Sequence, residues 1–248
     1  MVKRILGAIW MLWTAIVFLT TMLIFWIPIW AIALWDEPKR TDLFMKLIRV
    51  WMGIFLSLAG IRMKVTGKEK FKNGENYIVT CNHKSMMDVP LSSPGIPGAN
   101  KTIAKMELSK IPLFGMVYKR GSILVDRNTD ASRKDAFNRM KWALEKGMHM
   151  CIYPEGTRNK STNPLKSFQD GAFRLAIQTG KPIMPAVIFN TEKVLPADKS
   201  FYVMPHAVSM HFLDPVYIEP GDSAESLKQK IYNIMETFII ENRSKWNY

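Results

Sequence analysis

The sequence predicts an α/β fold: a mixed, largely parallel central sheet flanked by helices, preceded by an N-terminal membrane-embedded two-helix segment. Three observations predict it. Residues 5–35 hold no charged side chain. From residue 62 onward, short apolar runs alternate with amphipathic stretches, the pattern of strands separated by helices. Several of those runs end in polar clusters, and open α/β sheets collect ligands beyond the carboxyl ends of their strands.

Residues 5–35 carry five tryptophans, at 10, 13, 26, 30 and 35, with Pro28 near the far end. The stretch exceeds the roughly 20 residues that cross a bilayer. It is too long for a cleaved signal, and no small-residue cleavage site follows it. Asp36-Glu37-Pro38-Lys39-Arg40 reads as a polar turn. A second apolar stretch, 43–61, is broken only by Lys46 and Arg49. Those two share one helical face, so this helix is expected to be amphipathic and interfacial. Either the first helix spans and the second lies on the surface, or both form a hairpin in one leaflet. Basic pairs at both ends of the first helix give no positive-inside asymmetry, which favours the hairpin. Residues 1–61 are thus expected as a membrane-associated segment and 62–248 as one α/β domain.

Within that domain, strands are predicted at 63–66, 77–81, 102–104, 122–125, 148–153, 183–189 and 206–212. Helical spacing marks 132–146, 168–179 and 224–244, with Gly180 and Pro182 closing the second of these. The two cysteines, Cys81 and Cys151, sit inside apolar runs, with no CxxC and no zinc spacing. They are expected as buried thiols in a reducing compartment.

The formal net charge is +13. Residues 1–60 contribute six Lys or Arg against three Asp or Glu, so most of the excess lies in the α/β region. Anionic partners follow. Nucleic acid is excluded as the expected partner because the cations are scattered and no recognition motif is present. Anionic lipid, a phosphorylated substrate or an acidic carrier remain.

The run 77–81 gives way to Asn82-His83-Lys84-Ser85-Met86-Met87-Asp88. A histidine and a carboxylate five apart cannot share a regular helical face, since five residues turn about 500°. They can meet if His83 sits in the turn and Asp88 in the first turn of a following helix, as base and orienter. The plain alternative is a polar turn with Asn82 or Ser85 as a helix cap. Other strand ends add Lys105, then Asp126-Arg127, then Pro154-Glu155-Gly156-Thr157-Arg158. Each alone is ordinary turn or surface chemistry. Together, two guanidinium forks, a lysine and a glycine that lets backbone amides approach suit a phosphate monoester. His149, His206 and His211 lack companions and are expected in core or solvated roles.

Four blocks stand in order: Asn82-His83-x-Ser85-x-x-Asp88, Gly121-x-Ile123-x-Val125-Asp126-Arg127, Tyr153-Pro154-Glu155-Gly156-Thr157-Arg158 and Ile183-Met184-Pro185-Ala186-Val187. Over about 62–215 they resemble the glycerolipid acyltransferase family, most closely its members that acylate lysophosphatidic acid. The resemblance implies transfer of a fatty acyl chain from an acyl thioester to the sn-2 hydroxyl of that acceptor, giving phosphatidic acid in phospholipid biosynthesis. It implies His83 as general base and Asp88 as its orienter. Lys105, Arg127, Glu155, Gly156, Thr157 and Arg158 would form the substrate phosphate site. The co-substrate would be acyl-CoA or acyl-ACP, with no cofactor and no metal. The expected location is the membrane, with the catalytic domain on the cytoplasmic face; the oligomeric state stays open. Leu124, Tyr153, Asn159 and Gln169-Asp170 depart from the common pattern, the last weakening that helix start as an anion site. Two alternatives keep other outcomes in view: a different acceptor (glycerol-3-phosphate, another lysophospholipid or a lyso-aminolipid), or a non-enzymatic module that binds anionic lipid.

Overall fold

Seven strands form one sheet in the order β1-β7-β6-β2-β5-β3-β4. The computed structural model describes residues 2–199 and 201–245; the outer ends of the two expected regions, 1 and 246–248, lie outside these. The strands are β1 (Arg62–Thr66), β2 (Ile78–Cys81), β3 (Asn100–Lys105), β4 (Ser122–Val125), β5 (His149–Ile152), β6 (Ile183–Phe189) and β7 (Ala207–Phe212). Each falls on a predicted run. Strands β2 to β6 are mutually parallel, whereas β7 runs antiparallel to β6 and carries β1 parallel to itself. The sheet is therefore mixed and largely parallel. Strands β2, β5 and β6 are buried along their whole length, as a parallel sheet covered on both faces requires.

Helices α5 (Asp130–Glu145), α6 (Gly171–Thr179) and α8 (Ala224–Asn242) match the three predicted helices and cover one face. Their apolar stripes close on Ile78, Ile123, Ile183 and Val187. Thr129 caps α5 and Ser223 caps α8 through side-chain oxygens, and Gly180 ends α6 at φ 62°.

The other face meets α2 (Lys39–Leu58), α3 (Asp88–Gly95) and α4 (Phe114–Gly121), with α1 (Val2–Ala31) outermost. A four-residue helix, α7 (Thr191–Val194), follows β6. Helix α1 is long and apolar enough to cross a membrane by length and composition. It nevertheless lies along the body for its whole length. Near its start, Val203 donates its backbone N–H to Gly7 O at 3.2 Å, and the Tyr202 ring fills the space where a Cβ on Gly7 would stand. Midway, Trp51 donates its indole N–H to Thr21. Near its end, Arg120 reaches Trp30 O. The indoles of Trp10 and Trp13 cap the last carbonyls of α2, at Ala59 and Leu58. The opposite face of α1 leaves Ile9, Leu12, Ile16, Leu23 and Ile27 exposed.

Helix α2, expected to be amphipathic and interfacial, leaves Val50, Ile54 and Leu58 exposed on one side. It is sandwiched between α1 and the sheet layer, burying Phe44, Met45, Ile48, Trp51 and Phe55. The Arg49 guanidinium turns inward and binds the carbonyls of Pro94, Ile96 and Gly98 at 3.2, 2.8 and 2.6 Å. Only Lys46 points outward, paired with Asp42 one turn away. The apolar cluster accordingly crosses residue 61 without interruption.

Candidate active site

The four strands β2, β5, β3 and β4 are neighbours in that order and point the same way. Their carboxyl ends therefore form one rim, and they deliver His83, the 154–158 turn, Lys105 and Arg127 to it. Strand spacing of about 4.8 Å places the first and last of these roughly 14 Å apart at the backbone, within reach of long side chains.

His83 lies in the turn after β2, and Asp88 is the first residue of α3. His83 Nδ1 meets Asp88 Oδ2 at 2.7 Å. The same oxygen accepts the backbone N–H groups of Lys84 and Ser85, both at 2.8 Å. Asp88 is buried, while the His83 side chain remains 19 % exposed. With Nδ1–H directed at the carboxylate, the Nε2 lone pair faces outward as an acceptor. The Tyr153 ring lies against the imidazole, centroids 4.5 Å apart, and its hydroxyl pairs with Ser92 Oγ at 2.7 Å. Burial holds that hydroxyl well above its ordinary pKa, so it stays neutral.

The cap reading of this turn is not what forms. Helix α3 starts from Met87 with no side-chain cap. Asn82 instead bonds both ways with the Ile188 backbone, receiving its N–H at 2.7 Å and donating to its carbonyl at 2.9 Å. Ser85 Oγ accepts Met87 N–H and donates to Leu195 O.

Glu155, expected in the phosphate site, lies behind the His83 turn. It is buried, and its two oxygens accept the backbone N–H groups of His83 at 2.7 Å and Lys166 at 2.8 Å. Burial raises its pKa despite those donors. A carboxylate that accepts two loop amides shapes the rim from behind. Asn159 completes that clamp by donating its N–H to His83 O at 2.6 Å. Gly156 makes the turn at φ 71°, and its N–H donates to Tyr153 O at 3.0 Å. Its carbonyl receives the Arg127 guanidinium, which ties the β4 end to the β5 end.

Lys105, Arg127 and Thr157 are exposed, and Arg158 is half-buried. Thr157 Oγ1 accepts Lys166 Nζ at 2.7 Å, a cation the sequence reading did not single out. Arg158 and Lys105 have no ion pair among the described residues. The rim thus presents cations with spare donors beside an imidazole with a spare acceptor. Such a site can bind an anion and take a proton from a hydroxyl attached to it. Tyr153, Asn82 and Asn159 were not assigned these positioning roles from sequence. Asn82 and Tyr153 stand inside the motif blocks, and Asn159 directly follows one.

Residues 62–189 match the family model described as Acyltransferase. A mouse 1-acyl-sn-glycerol-3-phosphate acyltransferase alpha is 28% identical over 201 residues, covering 79% of this chain and 70% of the mouse protein. A coconut 1-acyl-sn-glycerol-3-phosphate acyltransferase is 31% identical over 161 residues, or 64% of this chain and 51% of the relative. The aligned part of this chain thus spans about half the length of the coconut protein. The crystal structure of the 1-acyl-sn-glycerophosphate (LPA) acyltransferase PlsC from Thermotoga maritima superposes with a TM-score of 0.85 at 23% identity, covering 98% of this chain and 99% of that one. At that identity the superposition speaks for the fold. Because the family model spans just over half of the residues, the part that carries the whole rim, the chain belongs to the acyltransferase family.

Proposed function

We propose that this protein transfers a fatty acyl chain from an acyl thioester to the sn-2 hydroxyl of lysophosphatidic acid, giving phosphatidic acid. The carrying observation is the rim itself: neighbouring parallel strands bring His83–Asp88 and the cations Lys105, Arg127 and Arg158 to one edge. The relatives' names agree with that acceptor.

His83 Nε2 takes the hydroxyl proton as the oxygen attacks the thioester carbonyl. Asp88 stabilises the imidazolium that forms and holds the ring through Nδ1. The tetrahedral intermediate collapses, the C–S bond breaks, and the proton passes from His83 to the leaving thiolate. The hydroxyl attacks directly, so the reading needs no acyl-enzyme and no bound cofactor. Arg158, Arg127 and Lys105 hold the acceptor phosphate, whose fixed position aims the hydroxyl at His83. Glu155 and Gly156 act on that geometry through the loops they hold.

The exposed apolar face of α1 lies in one leaflet, which brings the rim to the surface where acceptor and product reside. The catalytic domain then sits on the cytoplasmic side, where acyl-CoA or acyl-ACP supplies the thioester. The purified full chain, given lysophosphatidic acid with either thioester, is expected to form phosphatidic acid by lipid mass spectrometry. Equal turnover of an acceptor lacking the phosphate would refute the phosphate clamp. Lipid binding without turnover would favour a non-enzymatic module.

A further inference from the structure

At the other end of the sheet, the starts of α2, β3 and β4, the end of α4 and the middle of α5 enclose a cavity of about 450 Å³. Five cations line it, Arg40, Lys101, Lys119, Arg120 and Arg139, against the single carboxylate of Glu37. That carboxylate is already committed. Its Oε1 receives Arg40 Nε and Nη2 at 3.2 and 3.1 Å and Lys101 Nζ at 3.1 Å; its Oε2 receives Thr41 N–H and Oγ1. Arg139 has a distant partner in Asp135, at 3.8 Å. Lys119 has no ion pair among the described residues.

The cations are held inward rather than splayed into water. Lys101 is only 9% exposed and donates to Arg120 O. Arg120 Nη2 binds Trp30 O, while its buried Nε has no hydrogen-bond partner among the described residues. Burial and the neighbouring charge of Arg40 depress the pKa values of both groups. Concentrating like charges in a half-enclosed space is unfavourable unless an anion fills it. Two arginine forks with an inward lysine are the donors a phosphoryl group takes best.

The cavity is not the acceptor site. Lys101 stands at the start of β3 and Lys105 at its end, about 13 Å along the strand. Its Arg120 reaches Trp30 O near the end of α1, where Trp30, Leu34 and Trp35 are exposed. Exposed tryptophans next to basic side chains mark the headgroup level of a bilayer. From this we infer that the cavity binds the phosphate of an anionic phospholipid, a second lipid site that pins the enzyme to anionic membrane. The inference rests on α1 lying in a leaflet, as proposed above.

The test uses the full chain, with Lys119→Gln/Arg139→Gln as the cavity variant and Lys68→Gln/Lys230→Gln as a control of equal charge loss. Each is titrated with phosphatidylcholine vesicles, with and without phosphatidylglycerol. Wild type should prefer the anionic vesicles, and the cavity variant should lose about fivefold in affinity per charge removed, clearly more than the control. All three should bind neutral vesicles alike, and turnover in neutral detergent should be unchanged. Failure of wild type to bind either vesicle would instead sink the leaflet reading of α1. Equal losses in cavity variant and control would overturn the site. So would a cavity variant that keeps vesicle binding but loses binding of soluble coenzyme A, because the phosphate would then belong to the donor.

Discussion

Glu155 Oε1 accepts the backbone N–H of His83 at 2.7 Å, across 72 positions of sequence. The carboxylate thereby fixes the height of the His83 turn from behind, while Asp88 fixes the ring within it. Glu155→Ala is expected to leave two partly buried amides without their carboxylate, at about 1 kcal/mol each. We expect a lower Tm and a fall in kcat with little change in KM for the acceptor. A KM effect alone would return Glu155 to the phosphate site.

His83→Ala should lower turnover by about 10²–10⁴-fold or more while the circular dichroism spectrum and Tm stay near wild type. Asp88→Asn preserves an oxygen for the three N–H donors but removes the charge that stabilises imidazolium. It should fold and still lose turnover in the same range, read mainly in kcat. Near-normal turnover in either variant would remove the pair from the mechanism.

Arg158→Ala should raise KM for lysophosphatidic acid by about 10- to 100-fold, the worth of a charge-assisted hydrogen bond. KM for the thioester should change far less. Steady-state kinetics with each substrate varied in turn decide this, and equal effects on both would place Arg158 elsewhere.

Arg49 and Lys46 test the position of α2. Arg49 binds three carbonyls between α3 and β3, so Arg49→Ala should destabilise the whole domain by about 2 kcal/mol or more. Lys46 forms one exposed pair within its own helix, and Lys46→Ala should change stability by less than about 1 kcal/mol. Denaturant titrations of both would show similar small effects if α2 were a detached surface helix.

His149 predicts a loss of stability in acid. Its Nδ1 accepts Tyr77 N–H at 3.0 Å, and burial with the nearby Arg49 charge lowers its pKa from 6.5 to about 4. A depressed folded value means the unfolded chain binds the proton first. The stabilisation is therefore complete above 6.5 and lost as pH falls through about 4. The shift corresponds to about 3 kcal/mol at most. His211 is depressed in the same direction and to about the same value, so the two losses combine. Melts across this range should show His149→Gln with a visibly flatter profile than wild type.

Seven strands and three long helices were readable because each has a local period or an unbroken apolar run. The site blocks were readable because chemistry and turn residues coincide at strand ends. What could not be read was pairing at a distance. Nothing in 206–212 states that β7 runs against β6, and nothing in Glu155 states that its partners are amides rather than a ligand. Helix α4 was missed because Gly115 and Gly121 break its local signal. The Gly115 site has no room for a side chain: a Cβ there would stand 2.2 Å from Ser109 O. Arg49 and Glu155 share one lesson. A charge at the right helical phase says where it points, and only the tertiary structure says what waits there.

The strand order also sets a timetable. Strand β2, which carries the histidine turn, lies between β5 and β6, whose last residue is Phe189. A ribosome must therefore add more than a hundred residues after β2 before both of its edges are paired. Helices α1 and α2 are finished by Leu58, well before that. The two N-terminal helices are therefore made long before the strand that carries the histidine turn has both neighbours, and β1 waits longer still for β7, the kind of long-range closure that slows folding most.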